Sequence, residues 1–165
     1  MYPFGIFVHH LRIMDKPHAG LLRRGRVSEN GRAYHVTAAC IDRRRVFADF
    51  QSARCVVRAM RECDRLGACI TLAFVVMPDH LHWLFILEDD SLSRLVGRLK
   101  TRSAADINRL ADRSGQQIWQ PGFHDHAARR EDDVREIARY IVANPLRAGL
   151  VKSPRDYPHW DAIWL

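Results

Sequence analysis

Cysteine is scarce: positions 40, 55, 63 and 69 are all the chain has, and none stands in a Cys-x-x-Cys pair. With no secretory signal in view they read as reduced, mostly buried thiols, which excludes a disulfide scaffold and a zinc site built on cysteine. Long apolar runs are missing as well. The best stretch, Ala68 to Leu87, is interrupted by Pro78, Asp79, His80 and His82 and falls short of the roughly 18 clean residues that a membrane span needs. Met1 to His10 lacks a basic flank leading into an apolar run and a small-residue cleavage site, so a cytoplasmic, nucleoid-associated address is expected. No glycine-rich phosphate loop is present, and no nucleotide cofactor is expected.

What is present suits a globular chain. The 165 residues are 47% hydrophobic and 27% charged, enough for one compact domain and too rich in apolar residues for a disordered one. The formal charge of +7 is unevenly spread: Met1 to Arg58 holds 11 Lys+Arg against 4 Asp+Glu, and Ala59 to Leu165 holds 15 against 15. A basic segment on a neutral body is what a polyanion-binding arm looks like, because Lys and Arg that neutralise phosphates release condensed counterions. Codon bias is the competing reading, since 23 of the 26 basic residues are arginine. Residues 1–30 have no sustained period and read as an irregular basic arm, and residues 31–165 as a single domain.

Within that domain, Ala33 to Cys40 reads as a strand and Gln51 to Leu66 as a helix stopped by Gly67. Two apolar strands, Ala68 to Met77 and His80 to Leu87, flank a Pro78-Asp79 turn. Ser91 to Leu110 is an amphipathic helix, Trp119 to Ala128 a short strand or edge segment, and Glu131 to Ala143 a helix expected to end before Pro145. The order β-α-β-β-α-β-α resembles an α+β, ferredoxin-like (RRM-like) split β-α-β sandwich, an antiparallel sheet with helices plus one appended C-terminal helix.

His80 and His82 alternate along a strand, so both imidazoles project from one face while Leu81, Trp83, Phe85 and Leu87 take the other. One ion can bridge such a pair, and two hydrogen-bonded surface histidines have the same spacing. On the last helix Tyr140 and Asn144 share an i, i+4 face beside the apolar stripe of Val134, Ile137, Ala138, Ile141 and Val142. That places a hydroxyl and an amide side by side; a partly buried tyrosine and a helix terminator fit the same spacing. His124 and His126 repeat the alternate spacing, as a second metal pair or as structural or DNA-contacting groups.

Two blocks make the chain recognisable: Val76-Met77-Pro78-Asp79-His80-Leu81-His82-Trp83-Leu84, and Arg139-Tyr140-Ile141-Val142-Ala143-Asn144-Pro145-Leu146-Arg147-Ala148-Gly149-Leu150-Val151. They resemble the REP-associated tyrosine transposases, which are single-tyrosine HUH endonucleases. Supporting matches are Gly31 to Thr37 and Trp119 to His126, and the resemblance runs from about Leu21 to Trp160. It implies that His80, His82 and Asn144 are metal ligands, that the appended C-terminal helix carries Tyr140 as nucleophile, and that the cofactor is a divalent metal, Mg²⁺ or Mn²⁺. The implied activity is a metal-dependent transposase/endonuclease that nicks and rejoins single-stranded DNA near hairpins of REP type through a 5′-phosphotyrosine. The implied partner is single-stranded DNA with a hairpin. Arg23, Arg24, Arg26, Arg43, Arg44, Arg45, Lys100, Arg129 and Arg147 are the candidate nucleic-acid contacts. A noncatalytic, repressor-like binding module with the same fold is the alternative, and a phosphoesterase using water would leave Tyr140 dispensable.

Overall fold

A computed structural model describes residues 28–128 and 130–164. Residues 1–27 of the expected arm, with Arg23, Arg24 and Arg26, and also Arg129, lie outside the described residues. The elements in chain order are β1 (Ala33–Ala39), α1 (Phe50–Arg65), β2 (Cys69–Met77), β3 (His80–Leu87), α2 (Leu92–Leu110), β4 (His124–Ala127), α3 (Glu131–Arg147) and β5 (Trp160–Ala162). The strands form one antiparallel sheet in the order β4-β1-β3-β2-β5. The first four have the ferredoxin-like order expected from the sequence.

Local signals start and stop the helices. The Asp49 carboxylate accepts from the Ser52 amide at 2.8 Å to open α1, and Gly67 closes it at a φ of +68° that a side chain disfavours. Ser91 caps α2, and the Asp133 carboxylate accepts from the Arg130 amide at 3.0 Å to open α3. Because side chains alternate along the strands, the sheet has two apolar faces. One carries Val36, Val76, Leu81, Trp83, Phe85 and Leu87 against α1 and α2. The other carries Leu72, Ala73, Val75, Met77, Leu84 and Ile86 against Val134, Ala138, Ile141 and Val142 of α3. A bulge between Thr71 and Ala73 lets Leu72 and Ala73 both serve the α3 face.

Trp83 is wholly buried, and its indole N–H donates to Thr71 Oγ1 at 3.0 Å. Trp83→Ala is expected to cost about 3 to 5 kcal/mol, the range for emptying a large aromatic site. Urea unfolding checks it, and an unmoved midpoint contradicts the assignment of Trp83 as core.

Three boundaries depart from the sequence reading. The helix expected to end at Ala143 continues through Pro145 to Arg147. Proline removes the N–H that the Ile141 carbonyl would receive, and the Asn144 side-chain amide replaces it, donating to the carbonyls of Tyr140 at 2.9 Å and Ile141 at 3.4 Å. The segment Trp119 to Ala128 is a strand only from His124 to Ala127, with Trp119 held to Cys40 by an isolated bridge. β5 was not expected; it pairs with β2 across Ala73, Phe74 and Val75. Among the described residues no helix is long and apolar enough to cross a membrane.

Candidate active site

α3 packs chiefly on β2, β3 and β5, so its long axis borders the part of the same sheet face formed by β1 and β4. Cross-strand register decides what stands there. Thr37 is opposite His82 and His35 is opposite Leu84, while on the far side of β1 His35 pairs with His126 and Thr37 with His124. Directly opposed residues share a face. His80, His82, His35, His124 and His126 therefore all project from the α3 side, with the exposed His124 and His126 on the edge strand.

At the centre the two Nε2 atoms of His80 and His82 lie 3.2 Å apart. The outer nitrogen of each ring is also engaged. His80 Nδ1 donates to Asp79 Oδ1 at 2.6 Å, since a carboxylate can only accept, and in the neutral ring that tautomer leaves a lone pair on Nε2. His82 Nδ1 lies 3.1 Å from both Thr37 Oγ1 and His35 Nε2, either of which can be its hydrogen-bond partner. Two nitrogens each bonded at about 2.1 Å to one ion, at about 90 to 110°, stand about 3.0 to 3.4 Å apart. The pair fits adjacent ligands of a single divalent ion, with the outer partners that metal-bound histidines require. No group of three His, Cys, Asp or Glu side chains among the described residues gathers around one point.

Burial favours the neutral form of His82 and of His35 behind it. Desolvation, reinforced by the charges of His80, His35 and Arg43, pulls His82 down to about 3; desolvation and His126 pull His35 down to about 4. Both lie below an unfolded value near 6.5, so the unfolded chain takes up protons first. The stability they contribute is complete above about pH 6.5 and lost progressively as the pH falls towards the folded values. The urea midpoint is expected to drop between pH 6.5 and 5, where carboxylates titrate little. A midpoint flat across that window contradicts two buried neutral histidines.

Tyr140 meets this cluster edge-on. Its ring centroid is 5.9 Å from that of His82 and 6.4 Å from that of His35, and the residue is 41% exposed. Arg147, two turns on, sets its guanidinium carbon 4.9 Å from the Tyr140 ring centroid, a cation–π contact. Asn144 lies one turn after Tyr140, with its amide nitrogen spent on the helix carbonyls as described, which leaves Oδ1 as its free donor atom for a cation.

The other sequence candidates separate. Arg43 Nε donates to Asp79 Oδ2 at 2.9 Å, at the margin of the site. Arg44 donates to the Gln117 carbonyl at 2.8 Å. Arg45 lies close enough to Tyr157 to favour its phenolate electrostatically. Lys100, on the opposite layer, donates to the carbonyls of Gln120 and Gly122. The aromatics Tyr34 and Trp119 are buried in the α1/α2 core. Sequence reasoning assigned no role to His35, Thr37 or Asp79, although His35 and Thr37 alternate along β1 just as His80 and His82 do along β3.

The chain is 34% identical over 88 residues to a REP-associated tyrosine transposase of Escherichia coli K12, covering 52% of this chain and 50% of that one. It is 30% identical over 99 residues to a Haemophilus influenzae relative described in the same terms, covering 54% and 56%. The chain thus spans about half the length of the curated relatives it matches. A solved structure of a REP-associated tyrosine transposase bound to a REP hairpin superimposes with a TM-score of 0.68 at 25% identity, covering 85% of this chain and 82% of that one. The family model described as transposase, IS200 like, matches residues 29–144, a span that takes in β1 with His35, the His80 and His82 pair, and α3 as far as Asn144; by that match the chain belongs to the IS200-like transposase family.

Proposed function

We propose that the chain is a metal-dependent endonuclease and strand transferase of the single-tyrosine HUH type, which nicks and rejoins single-stranded DNA beside REP-type hairpins through a 5′-phosphotyrosine. The observation that carries this reading is the edge-on approach of the Tyr140 ring to His82, whose Nε2 stands 3.2 Å from that of His80, on one sheet face. His80 and His82 through Nε2, and Asn144 through its amide oxygen, are the residues that would hold Mg²⁺ or Mn²⁺. An ion held by these residues would supply Lewis-acid polarisation of a phosphate and neutralise charge developing on it.

The chain's own groups account for the rest. Tyr140 Oη forms a bond to phosphorus and the DNA 3′-oxygen leaves, so one phosphodiester is exchanged for another with no nucleotide consumed. The phenol proton passes to solvent, which reaches the 41% exposed Tyr140. A 3′-hydroxyl attacking the phosphotyrosine reverses the exchange and joins the strand. α3 fixes the tyrosine to a helix anchored by Ile141 and Val142 in the core, and an element of that rigidity keeps the nucleophile at one approach distance. The test is incubation with labelled single-stranded REP-type hairpins with and without Mn²⁺: cleavage and a covalent protein–DNA adduct are expected only with the ion. Hairpin binding with no cleavage under any divalent ion would favour the repressor-like module instead.

A further inference from the structure

Two successive side-chain-bearing residues after β1, Asp42 and Arg43, hold φ of 51° and 53°, a left-handed geometry that L-residues other than glycine avoid. Strain of this kind persists where the surroundings over-determine it, and it collects at functional positions. The loop is tied at both ends to the β2–β3 turn: the Cys40 amide donates to the Asp79 carbonyl at 2.8 Å, and the Phe47 amide to the Pro78 carbonyl at 2.9 Å. What the strained residues deliver between those ties is a guanidinium. Arg43 Nε donates to Asp79 Oδ2 at 2.9 Å, and Asp79 Oδ1 in turn accepts from His80 Nδ1 at 2.6 Å.

We propose that Arg43 and Asp79 are positioning residues for His80, forming a guanidinium–carboxylate–imidazole chain that fixes the ring as the Nδ1–H tautomer and aims its Nε2 at the position shared with His82. The inference rests on the metal reading of the histidine pair. It removes Arg43 from the phosphate-contacting set in which its Arg43-Arg44-Arg45 run placed it, and it makes the two ligands unequal. His80 is backed by a charged carboxylate, whereas His82 has only the neutral Thr37 and His35 behind it. A carboxylate behind an imidazole raises its basicity as a ligand and fixes its orientation. The Arg43 side chain is 60% exposed, and an ion pair that open adds little to fold stability. Ligand positioning and stability are therefore separable by experiment.

Mn²⁺ titration of the DNA-free protein, followed by the free-ion electron paramagnetic resonance signal and paired with thermal melts, makes the separation. Asp79→Asn is expected to weaken Mn²⁺ binding about 10- to 100-fold. Arg43→Gly is expected to weaken it roughly threefold to fivefold, the size of an exposed charge pair, with a melting temperature unchanged or raised because glycine accepts the positive φ. Arg43→Lys should recover part of the affinity, and Asp42→Gly, which relieves the same strain but keeps the guanidinium, should leave it unchanged. Long-range ¹⁵N–¹H NMR should find His80 as the Nδ1–H tautomer in the wild type and as a tautomer mixture in Asp79→Leu. If Asp79→Asn and Arg43→Gly bind Mn²⁺ as the wild type does while His80→Ala does not, the positioning role falls and the metal reading stands. Parallel losses of melting temperature and affinity in Arg43→Gly, with no recovery by Arg43→Lys, would make the loop merely structural and overturn the proposal. A wild-type protein that binds no Mn²⁺ overturns both readings.

Discussion

Tyr140→Phe is expected to abolish both strand cleavage and the covalent protein–DNA adduct while hairpin affinity stays within about twofold. The substitution removes one oxygen and leaves the ring. Its edge-on contacts with His82 and His35 and its cation–π contact with Arg147 do not involve the hydroxyl, and at 41% exposure the site tolerates the change within about 0.5 kcal/mol of stability. Loss of a nucleophile is not rescued by the rest of a site that acts as a unit, so a rate decrease of at least about 10³-fold is expected. The adduct retains the DNA segment 3′ to the cut, so the hairpin substrate carries its label at the 3′ end and the adduct is read as a shifted band on a denaturing gel. Cleavage that persists without an adduct would identify water as the nucleophile and make the chain a phosphoesterase. An adduct that persists would put the nucleophile on another residue.

The inner strands and the histidine pair were legible because they are written in a local period. His80 to Leu87 alternates, so the sequence alone separates His80 and His82 from Leu81, Trp83, Phe85 and Leu87, and the structure has the strand over the same residues with the same division. Tyr140 and Asn144 are read from helical spacing in the same way. Register is another matter. That Thr37 faces His82, and that His35 reaches His82 Nδ1, depends on how β1 slides along β3, and no periodicity within either strand contains that offset. β5 escaped because three residues carry no pattern; Tyr157 Oη donating to the Val76 carbonyl at 2.8 Å and the Ile163 amide to Leu72 at 3.0 Å hold it in place. The rule that a helix stops before proline failed at Pro145 because it is a statement about one missing donor, and the side chain of Asn144 supplies another. Charge alone does not say what each basic side chain meets within the fold. Lys100 and Arg44 look like phosphate contacts in the sequence, yet each side chain is committed to backbone carbonyls of the segment between Gln117 and Gly122.

His80→Ala and His82→Ala are each expected to eliminate Mn²⁺ binding and metal-dependent cleavage, a larger loss than the roughly 10- to 100-fold that outer partners cost. The two variants differ in their side effects. His80 is flanked by Asp79, which keeps Arg43 as a partner when the imidazole goes, so His80→Ala should melt close to the wild type. His82 is 7% exposed, and its Nδ1 faces Thr37 Oγ1 and His35 Nε2 at 3.1 Å each. Its removal leaves polar atoms short of a partner and should cost about 1 to 3 kcal/mol. Asn144→Ala combines the loss of an amide oxygen with the loss of the donor that covers the carbonyls before Pro145, and it should slow cleavage; a normal rate would place the third ligand elsewhere, with His124 or water as the alternatives. The decisive comparison is the double variant. Two nitrogens serving one ion form a single chelate, so either single substitution removes its function and the second adds nothing further, the non-additivity expected of coupled groups. Mn²⁺ affinities that fall in two independent, additive steps would mean that His80 and His82 serve different partners, and their 3.2 Å approach would then be an ordinary hydrogen bond between neighbouring imidazoles.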